Sequence, residues 1–191
     1  MKSTVLNAKV ILIGEKGVGK TSLVMRFVYN MFREQYIETL GANFYSKHVT
    51  IKLDNRKIVV KMMIWDLAGD YHFRSVQESY FEGAQAAICV YDVSRRTTFD
   101  AVPHWINRLL NKVEKIPLVL VGNKIDLRKS DELDFITTDE GKELAKKLKE
   151  LLGIPVLFIE TSAKTGENVE KAFYWVAYLI AKIASSLEQR K

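Results

Sequence analysis

The amino-acid sequence predicts an α/β fold: a six-stranded, mostly parallel sheet with one antiparallel edge strand and helices on both faces. Short apolar runs of strand length alternate with segments of helical spacing, the pattern of a parallel sheet with its crossover helices. The turn pair Asp54-Asn55 joins two of the apolar runs and indicates an antiparallel hairpin. The sequence contains no internal repeat and no linker-like change of composition, so we expect a single domain over residues 1–191.

The order of elements predicts where functional residues should lie. The predicted strands occupy residues 8–13, 44–53, 57–65, 86–91, 117–121 and 155–159, and the predicted helices occupy residues 19–29, 99–113, 138–152 and 167–186. Thr137 and Glu140 have the spacing of a capping box at the start of the third helix. In sheets of this kind ligands bind beyond the carboxyl ends of the strands, so functional motifs should follow residues 13, 65, 121 and 159.

The composition indicates an ordinary globular protein. Hydrophobic residues make up 48% and charged residues 27% of the chain, as in soluble domains. The formal net charge is +6, but the basic residues are scattered in short groups, so we expect no nucleic-acid partner. The single cysteine, Cys89, lies in an apolar run and is predicted to be a core residue. No apolar run approaches the roughly 20 residues of a membrane span, and we expect a cytoplasmic location.

A glycine-rich loop follows the first predicted strand and precedes the first helix. Residues 14–21 match the pattern G-x-x-x-x-G-K-[ST], in which backbone N–H groups and the helix N-terminus surround phosphates. Lys20 is predicted to reach the β- and γ-phosphates, and the Thr21 hydroxyl to bind magnesium. The fold prediction therefore becomes a P-loop NTPase fold, with ATP and GTP both open at this point. The loop residues assigned to the nucleotide are Gly14, Gly17, Val18, Gly19, Lys20, Thr21 and Ser22.

A second motif, Asp66-Leu67-Ala68-Gly69, follows the strand predicted to end at residue 65. We expect the Asp66 carboxylate to approach magnesium without binding it directly, and the Gly69 N–H to meet the γ-phosphate. The motif is short and also describes ordinary turns. Its place one hairpin after a P-loop makes it a specific signal.

Two further motifs indicate that the base is guanine. Asn123-Lys124-Ile125-Asp126 follows the fifth predicted strand, and Thr161-Ser162-Ala163-Lys164 follows the sixth. Asp126 can accept hydrogen bonds from N1–H and the 2-amino group of guanine, a pair of donors that adenine lacks, so adenine would leave the carboxylate unpaired. Lys124 is expected to cover one face of the base, Asn123 to tie this loop to the P-loop, and the backbone of residues 162–164 to meet the guanine carbonyl.

With these motifs the chain resembles the Ras-superfamily small GTPases, most nearly the Rab-like branch, over residues 8–183. The resemblance implies GTP and GDP as ligands and Mg2+ as cofactor. It implies that Thr39, in switch I, completes the magnesium site, that Phe32 contacts guanine edge-on and that Tyr36 lies over the phosphates. Switch II would run from Gly69 to about Ser79. Effectors, exchange factors and activating proteins are the implied partners, through both switches.

Two residues depart from the family pattern and are candidate catalytic residues beside Lys20. Asp70 stands where the family usually has glutamine, which orients the attacking water. We therefore expect slow hydrolysis or, as the alternative, a GTP-binding module with negligible turnover. Lys16 stands where the family has a small residue. Either it obstructs an activating arginine, or it supplies charge to the γ-phosphate, or it points into solvent.

The C-terminal region leaves two questions open. No cysteine follows Cys89, so this chain contains no prenylation motif, and we expect at most peripheral membrane contact. In the last helix, Tyr174, Trp175 and Tyr178 lie partly outside the apolar stripe. Either they extend the core at the edge of the sheet, or they form an aromatic surface for a partner or a second copy of the chain. The oligomeric state is not predicted.

Overall fold

The computed structural model describes residues 4–35, 37–53, 55–69, 78–129 and 134–189. The strands are β1 (Thr4–Ile13), β2 (Ala42–Leu53), β3 (Arg56–Leu67), β4 (Ala86–Asp92), β5 (Leu118–Asn123) and β6 (Val156–Thr161). The helices are α1 (Lys20–Tyr29), α2 (Arg96–Asp100), α3 (Val102–Leu110), α4 (Thr138–Leu152) and α5 (Val169–Glu188), with a 3-10 turn at Ile125–Lys129.

The six strands form one sheet in the order β2-β3-β1-β4-β5-β6. Only the pairing of β2 with β3 is antiparallel; the other four pairings are parallel. The predicted fold class is therefore confirmed, including the antiparallel edge strand. In this order the carboxyl ends of β1, β3, β4, β5 and β6 lie along one edge of the sheet, where the motifs were expected to meet.

Side chains of β1 alternate between two apolar layers, one on each face of the sheet. Val10 and Leu12 belong to the layer under α1 and α5, where Phe27 stacks on Phe173 with ring centroids 4.0 Å apart. Ile11 and Ile13 belong to the layer under α3 and α4. Helices therefore cover both faces, as the near-continuous apolar character of the inner strands requires. Cys89 is buried in the second layer, as predicted.

The predicted helix over residues 99–113 was wrong, because two helices occupy this part of the chain. Helix α2 ends at Asp100 and α3 begins at Val102. Pro103 has no N–H to donate to the Phe99 carbonyl, so it interrupts the helical hydrogen-bond series but is tolerated in the first turn of a new helix. By contrast, the predicted helix over 138–152 has those bounds, and Thr137 and Glu140 form the predicted capping box.

Strands β4, β5 and β6 run one or two residues past their predicted ends, into polar sequence. The extensions end at Asp92, Asn123 and Thr161, which are all buried. Apolar runs alone underestimate the length of these strands, because the last residues of each strand face the site rather than the core.

The aromatic residues of α5 divide between core and surface. Trp175 and Tyr178 are half-buried and pack against the layer under α1 and α5, so the prediction that they extend the core is confirmed for these two. Tyr174 is exposed. Among the described helices, none is both long and apolar enough to cross a membrane.

Candidate nucleotide-binding site

A cavity of about 790 Å3 lies beyond the carboxyl ends of the strands, a volume suited to a small-molecule ligand. Most of the predicted site residues line it. They are Lys16, Gly17, Gly19, Lys20, Thr21, Ser22, Phe32, Thr39, Gly69, Asn123, Lys124, Asp126, Ala163 and Lys164. Four motifs from distant parts of the sequence therefore meet at one cavity, as the topology predicted.

The other predicted residues lie behind the cavity wall or outside the described residues. Gly14, Val18, Asp66 and Ser162 are buried, and two of their side chains, Asp66 and Ser162, hydrogen bond to residues that line the cavity. Tyr36 and Asp70 fall outside the described residues, and the predictions made for them stay predictions.

The P-loop takes a backbone path that requires glycine. Gly14 has φ +136°, and a Cβ there would lie 2.2 Å from the carbonyl oxygen of Val90. The same close packing recurs at Gly69, where a Cβ would lie 2.5 Å from the backbone nitrogen of Lys16 and 2.6 Å from Nζ of Lys20. The loop is thus held between β4 and the residues after β3, and Gly69 packs directly on it.

The Lys20 ammonium is buried inside the loop. Its Nζ donates to the carbonyl oxygens of Gly14 at 2.7 Å and Glu15 at 3.0 Å. Burial lowers its pKa to about 8, and the nearby Asp66 carboxylate partly opposes that shift. The Lys20 ammonium, held by the first carbonyls of the loop, is in a position to bind phosphate oxygens in the cavity.

Three oxygen-bearing side chains converge beside Lys20. The Thr21 hydroxyl donates to Oδ2 of Asp66 at 2.6 Å, and its oxygen lies 2.9 Å from Oγ1 of Thr39. Oδ1 of Asp66 is buried and has no hydrogen-bond partner among the described residues. Burial raises the pKa of Asp66, while the Thr21 hydrogen bond, Lys20 and the Asn43 side chain oppose that shift.

These residues fit a magnesium ion. Mg2+ prefers oxygen ligands, and it is usually bound through few protein groups together with substrate phosphates. Two hydroxyls and a carboxylate provide such a donor set. The buried Oδ1 of Asp66 has no hydrogen-bond partner among the described residues, and an ion with its bound water would satisfy it. Among the described residues no cluster of three or more His, Cys, Asp or Glu side chains offers another metal site.

Asn123 joins three loops at the other end of the cavity. Its Nδ2 donates to the Val18 carbonyl at 2.9 Å, and its Oδ1 accepts from the Thr161 hydroxyl at 3.0 Å and from the Ala163 N–H at 3.2 Å. The side chain is 1% exposed. The predicted tie between this loop and the P-loop is therefore present, and it extends to the loop after β6.

Asp126 and Lys124 are each held by a neighbouring side chain. The Ser162 hydroxyl donates to Oδ1 of Asp126 at 2.5 Å, and Nζ of Lys124 lies 2.7 Å from Oδ2 of Asp92. Burial would raise the pKa of Asp92, but hydrogen bonds from Lys124 and Ser94 outweigh it and the pKa is lowered. The Asp126 carboxylate thus lines the cavity with one oxygen fixed by the Ser162 hydroxyl.

Lys16 contacts the segment before β2 rather than pointing freely into solvent. Its Nζ forms an ion pair with Oε1 of Glu38 at 2.5 Å. Its backbone carbonyl accepts from the Arg95 guanidinium at 2.9 Å. The Lys16 side chain, still 44% exposed, thus connects the P-loop to the residue that precedes Thr39, and the three alternatives for its part in hydrolysis stay predictions.

Sequence reasoning missed three residues that shape the site. Arg26 of α1 donates to the carbonyls of Ala163 at 3.0 Å and Lys164 at 2.6 Å, and so holds the loop after β6. Asp92 holds Lys124, and Glu38 pairs with Lys16. Asp92 had a detectable signal, because it follows an apolar run at a strand's carboxyl end like the other motifs. Arg26 and Glu38 had none, since their partners are distant in sequence.

The sheet has the strand order β2-β3-β1-β4-β5-β6, and a glycine-rich loop with a buried lysine connects β1 to α1. Together these features define a P-loop nucleotide-binding protein. The family model described as "Ras family" matches residues 9–182. The chain is 41% identical to the Ras-related protein RABA1b of Arabidopsis thaliana, over 93% of this chain and 76% of that protein. It is 40% identical to Ras-related protein Rab-1 of Theileria parva, over 88% and 72% of the two chains, and 41% identical to Ras-related protein SEC4 of Saccharomyces cerevisiae, over 90% and 74%.

The chain belongs to the Ras family and is a Rab-like small GTPase, which hydrolyses GTP to GDP and phosphate. Members of this family bind GTP and GDP, typically with Mg2+, and act as GTP-binding switches. They generally interact with effectors, exchange factors and activating proteins. The resemblance found from the motifs is therefore confirmed at the level of the family.

Proposed function

We propose that this chain is a slow GTP-hydrolysing switch whose two nucleotide states differ in switch I, around Thr39, and in switch II, from Gly69 to about Ser79. The contact of Thr21 with both Asp66 and Thr39, beside the buried Lys20, carries the proposal. It joins the P-loop helix, the end of β3 and switch I at one point. A ligand bound there therefore changes the contacts of both switches at once.

Magnesium would be held by the hydroxyls of Thr21 and Thr39, with the Asp66 carboxylate beside it. When bound, the ion neutralises charge on the β- and γ-phosphates. Lys20 binds the same phosphates from the base of the loop. Thr39 has a half-exposed side chain on a segment without regular structure, so its position depends on this contact more than on packing. Loss of the γ-phosphate would therefore release switch I first.

Selectivity for guanine would come from Asp126. The carboxylate lines the cavity, and the Ser162 hydroxyl fixes one of its oxygens. A base without the N1–H and 2-amino donors leaves this partly buried carboxylate with only the Ser162 hydrogen bond, which discriminates against adenine. Lys124, held at Asp92, covers one face of the base with its aliphatic stem.

The hydrolysis step is expected to be slow because of Asp70. Glutamine at this position orients water and donates an amide hydrogen bond, whereas a carboxylate adds negative charge beside a transition state already rich in it. We expect an intrinsic rate on the order of 10⁻⁴ s⁻¹ or below. The alternative is a module that binds GTP with negligible turnover, so that exchange alone sets its state.

Single-turnover hydrolysis of GTP by the magnesium-loaded protein, run beside Asp70→Gln, tests the proposal. Asp139→Asn, on the exposed first turn of α4, is the matched control for removal of an acidic charge. Measurable turnover by the wild type that rises in Asp70→Gln alone supports the slow switch. Intact GTP in the wild type with hydrolysis in Asp70→Gln supports the binding module instead. A wild-type rate ten times the expected value or more contradicts the role given to Asp70.

Partner binding is proposed through the two switches. Ile37 and Leu40, on either side of Thr39, are 60% and 74% exposed, and Phe44 at the start of β2 is 55% exposed. An exposed apolar patch next to a nucleotide-dependent residue suits recognition of one nucleotide state by a protein. A cytoplasmic location, with membrane contact at most peripheral, stays a prediction.

A further inference from the structure

One face of the β1–β3–β2 part of the sheet carries only basic charges. Register places alternate residues of β1 (5–9), β3 (57–65) and β2 (44–52) on this face, which we call the open sheet face. Helices α1 and α5 pack on the opposite side of the same strands. The open sheet face includes four lysines, Lys9, Lys52, Lys57 and Lys61, one histidine and no acidic residue.

Three of these lysines have no polar partner in the part of the chain that the structure describes. Lys52 is directly opposite Lys57 across the β2–β3 ladder, and His48 is directly opposite Lys61. Among the described residues Lys52, Lys57 and Lys61 form no ion pair and no hydrogen bond. Like charges directly opposite each other on a sheet are destabilising, so the arrangement costs stability in the isolated protein. Lys9 differs, because its Nζ donates to the Glu82 carbonyl at 2.7 Å.

Protection of a sheet edge does not account for this arrangement. Lysine on an edge strand discourages pairing between copies, and that reason covers Lys52 on β2. Lys57 and Lys61 are on β3, which has β2 on one side and β1 on the other. Protection of an exposed strand edge therefore does not explain Lys57 and Lys61.

The chemistry of the face favours a lipid surface over a protein. Protein interfaces are enriched in arginine and depleted in lysine, because the guanidinium forms bidentate bonds with carboxylates while an ammonium stays strongly hydrated. The open sheet face has lysine and no arginine. Lys57 and Lys61 are about 13 Å apart along β3, which spreads the charge over a flat area as an array of head groups would require.

We propose that the open sheet face binds the anionic surface of a lipid bilayer through Lys52, Lys57 and Lys61. Each lysine near such a surface contributes attraction that salt screens. Lys52 and Lys57 lie near the opposite ends of the strands from the nucleotide site, since Lys57 and Asp66 are about 30 Å apart along β3, and Lys61 is about 17 Å from Asp66. Binding there would leave the nucleotide cavity open.

Sedimentation of the GDP-loaded protein with phosphatidylcholine vesicles, with and without about a third phosphatidylserine, tests the proposal. We expect binding only to the anionic vesicles, weakened by salt. The triple variant Lys52→Gln, Lys57→Gln, Lys61→Gln should bind about tenfold or more weakly. The matched control is Lys115→Gln, Lys146→Gln, Lys149→Gln, which removes the same charge from other exposed positions and should change binding less than about threefold.

Equal losses in the two triple variants would overturn the proposal, because net charge alone would then explain binding. Absence of binding to anionic vesicles would overturn it as well. Binding of polyglutamate but not vesicles to this face would replace the lipid by an acidic protein partner. If the triple variant does not fold, a fluorophore on Thr50→Cys provides the second measurement, since Cys89 is buried. Its emission should change on anionic vesicles, whereas a fluorophore on Lys146→Cys should not respond.

Discussion

Lys16 of the P-loop and Glu38, in the segment before β2, form an ion pair with Nζ and Oε1 2.5 Å apart. Glu38 directly precedes Thr39, whose hydroxyl lies 2.9 Å from Thr21. The pair therefore connects the P-loop to the residue proposed to bind magnesium. It gives Lys16 a contact that its position in the P-loop did not reveal, with the segment that the proposed function assigns to switch I.

Breaking this pair should speed nucleotide release. Both side chains are more than a third exposed, so the pair is worth at most about 1 kcal/mol and each of Lys16→Gln and Glu38→Gln should raise the GDP dissociation rate by about two- to fivefold. Release of a fluorescent GDP analogue measures the effect. The charge-swapped Lys16→Glu, Glu38→Lys protein should recover most of the wild-type rate. Additive effects of the two single changes would show that the residues act separately.

Ser162→Ala should weaken guanine-nucleotide binding without changing the choice of base. The serine hydroxyl donates to Asp126 and also accepts from the Thr165 N–H at 3.0 Å. Loss of a hydrogen bond to a carboxylate costs about 1.5–3 kcal/mol, so GTP affinity should fall by roughly tenfold or more. Competition by GTP and ATP against a fluorescent nucleotide measures both quantities. Asp126→Ala is the comparison, because it should also remove the preference for GTP.

Asn123→Ala should destabilise the fold as well as the site. The side chain is buried and satisfies a carbonyl of the P-loop together with a hydroxyl and an N–H at the end of β6 and in the loop after it. Leaving such buried groups unsatisfied costs about 1–3 kcal/mol each, so the free energy of unfolding should fall by about 3 kcal/mol. Urea unfolding without nucleotide measures the change. Asn107→Ala, on an exposed position of α3, is the control and should shift stability by less than about 0.5 kcal/mol.

The capping box of α4 should make stability depend on acid pH. The Arg96 guanidinium and the Thr137 N–H lower the pKa of Glu140 from its usual 4.5 to about 2. A lowered folded-state pKa means that the stabilisation is complete above pH 4.5 and is lost as the pH falls towards 2. Glu140→Gln keeps the cap but loses the ion pair with Arg96, so its deficit relative to wild type should be present at pH 6 and shrink below pH 4.5. A deficit that is independent of pH would contradict this assignment.

The sequence predicted the fold and most of the site because both depend on local patterns. Strand-length apolar runs alternate with helical segments, and the polar motifs follow the strands directly. The capping box at Thr137 and the bounds of α4 were predicted residue for residue. The error at Pro103 is also local, since one missing N–H divides the expected helix into α2 and α3.

The contacts that orient the site could not be predicted in this way. Arg26 reaches residues 137 and 138 positions away, and Asn123 joins loops separated by 105 and 40 positions. Nothing in the neighbouring sequence specifies such partners. They arise because parallel strands bring their carboxyl ends to one edge of the sheet.

By itself, the sequence determined the class of protein, the sheet and the P-loop, and it predicted residues for phosphate, metal and base, because each depends on a short motif in a predictable place. Only the tertiary structure decided which partners hold those residues. Lys16 forms an ion pair with Glu38, Asp126 accepts a hydrogen bond from Ser162, and Lys124 forms an ion pair with Asp92. It also showed that Lys52 and Lys57 face each other on an open sheet. Such pairings depend on strand order and register, which are set by packing of the whole chain rather than by neighbouring residues.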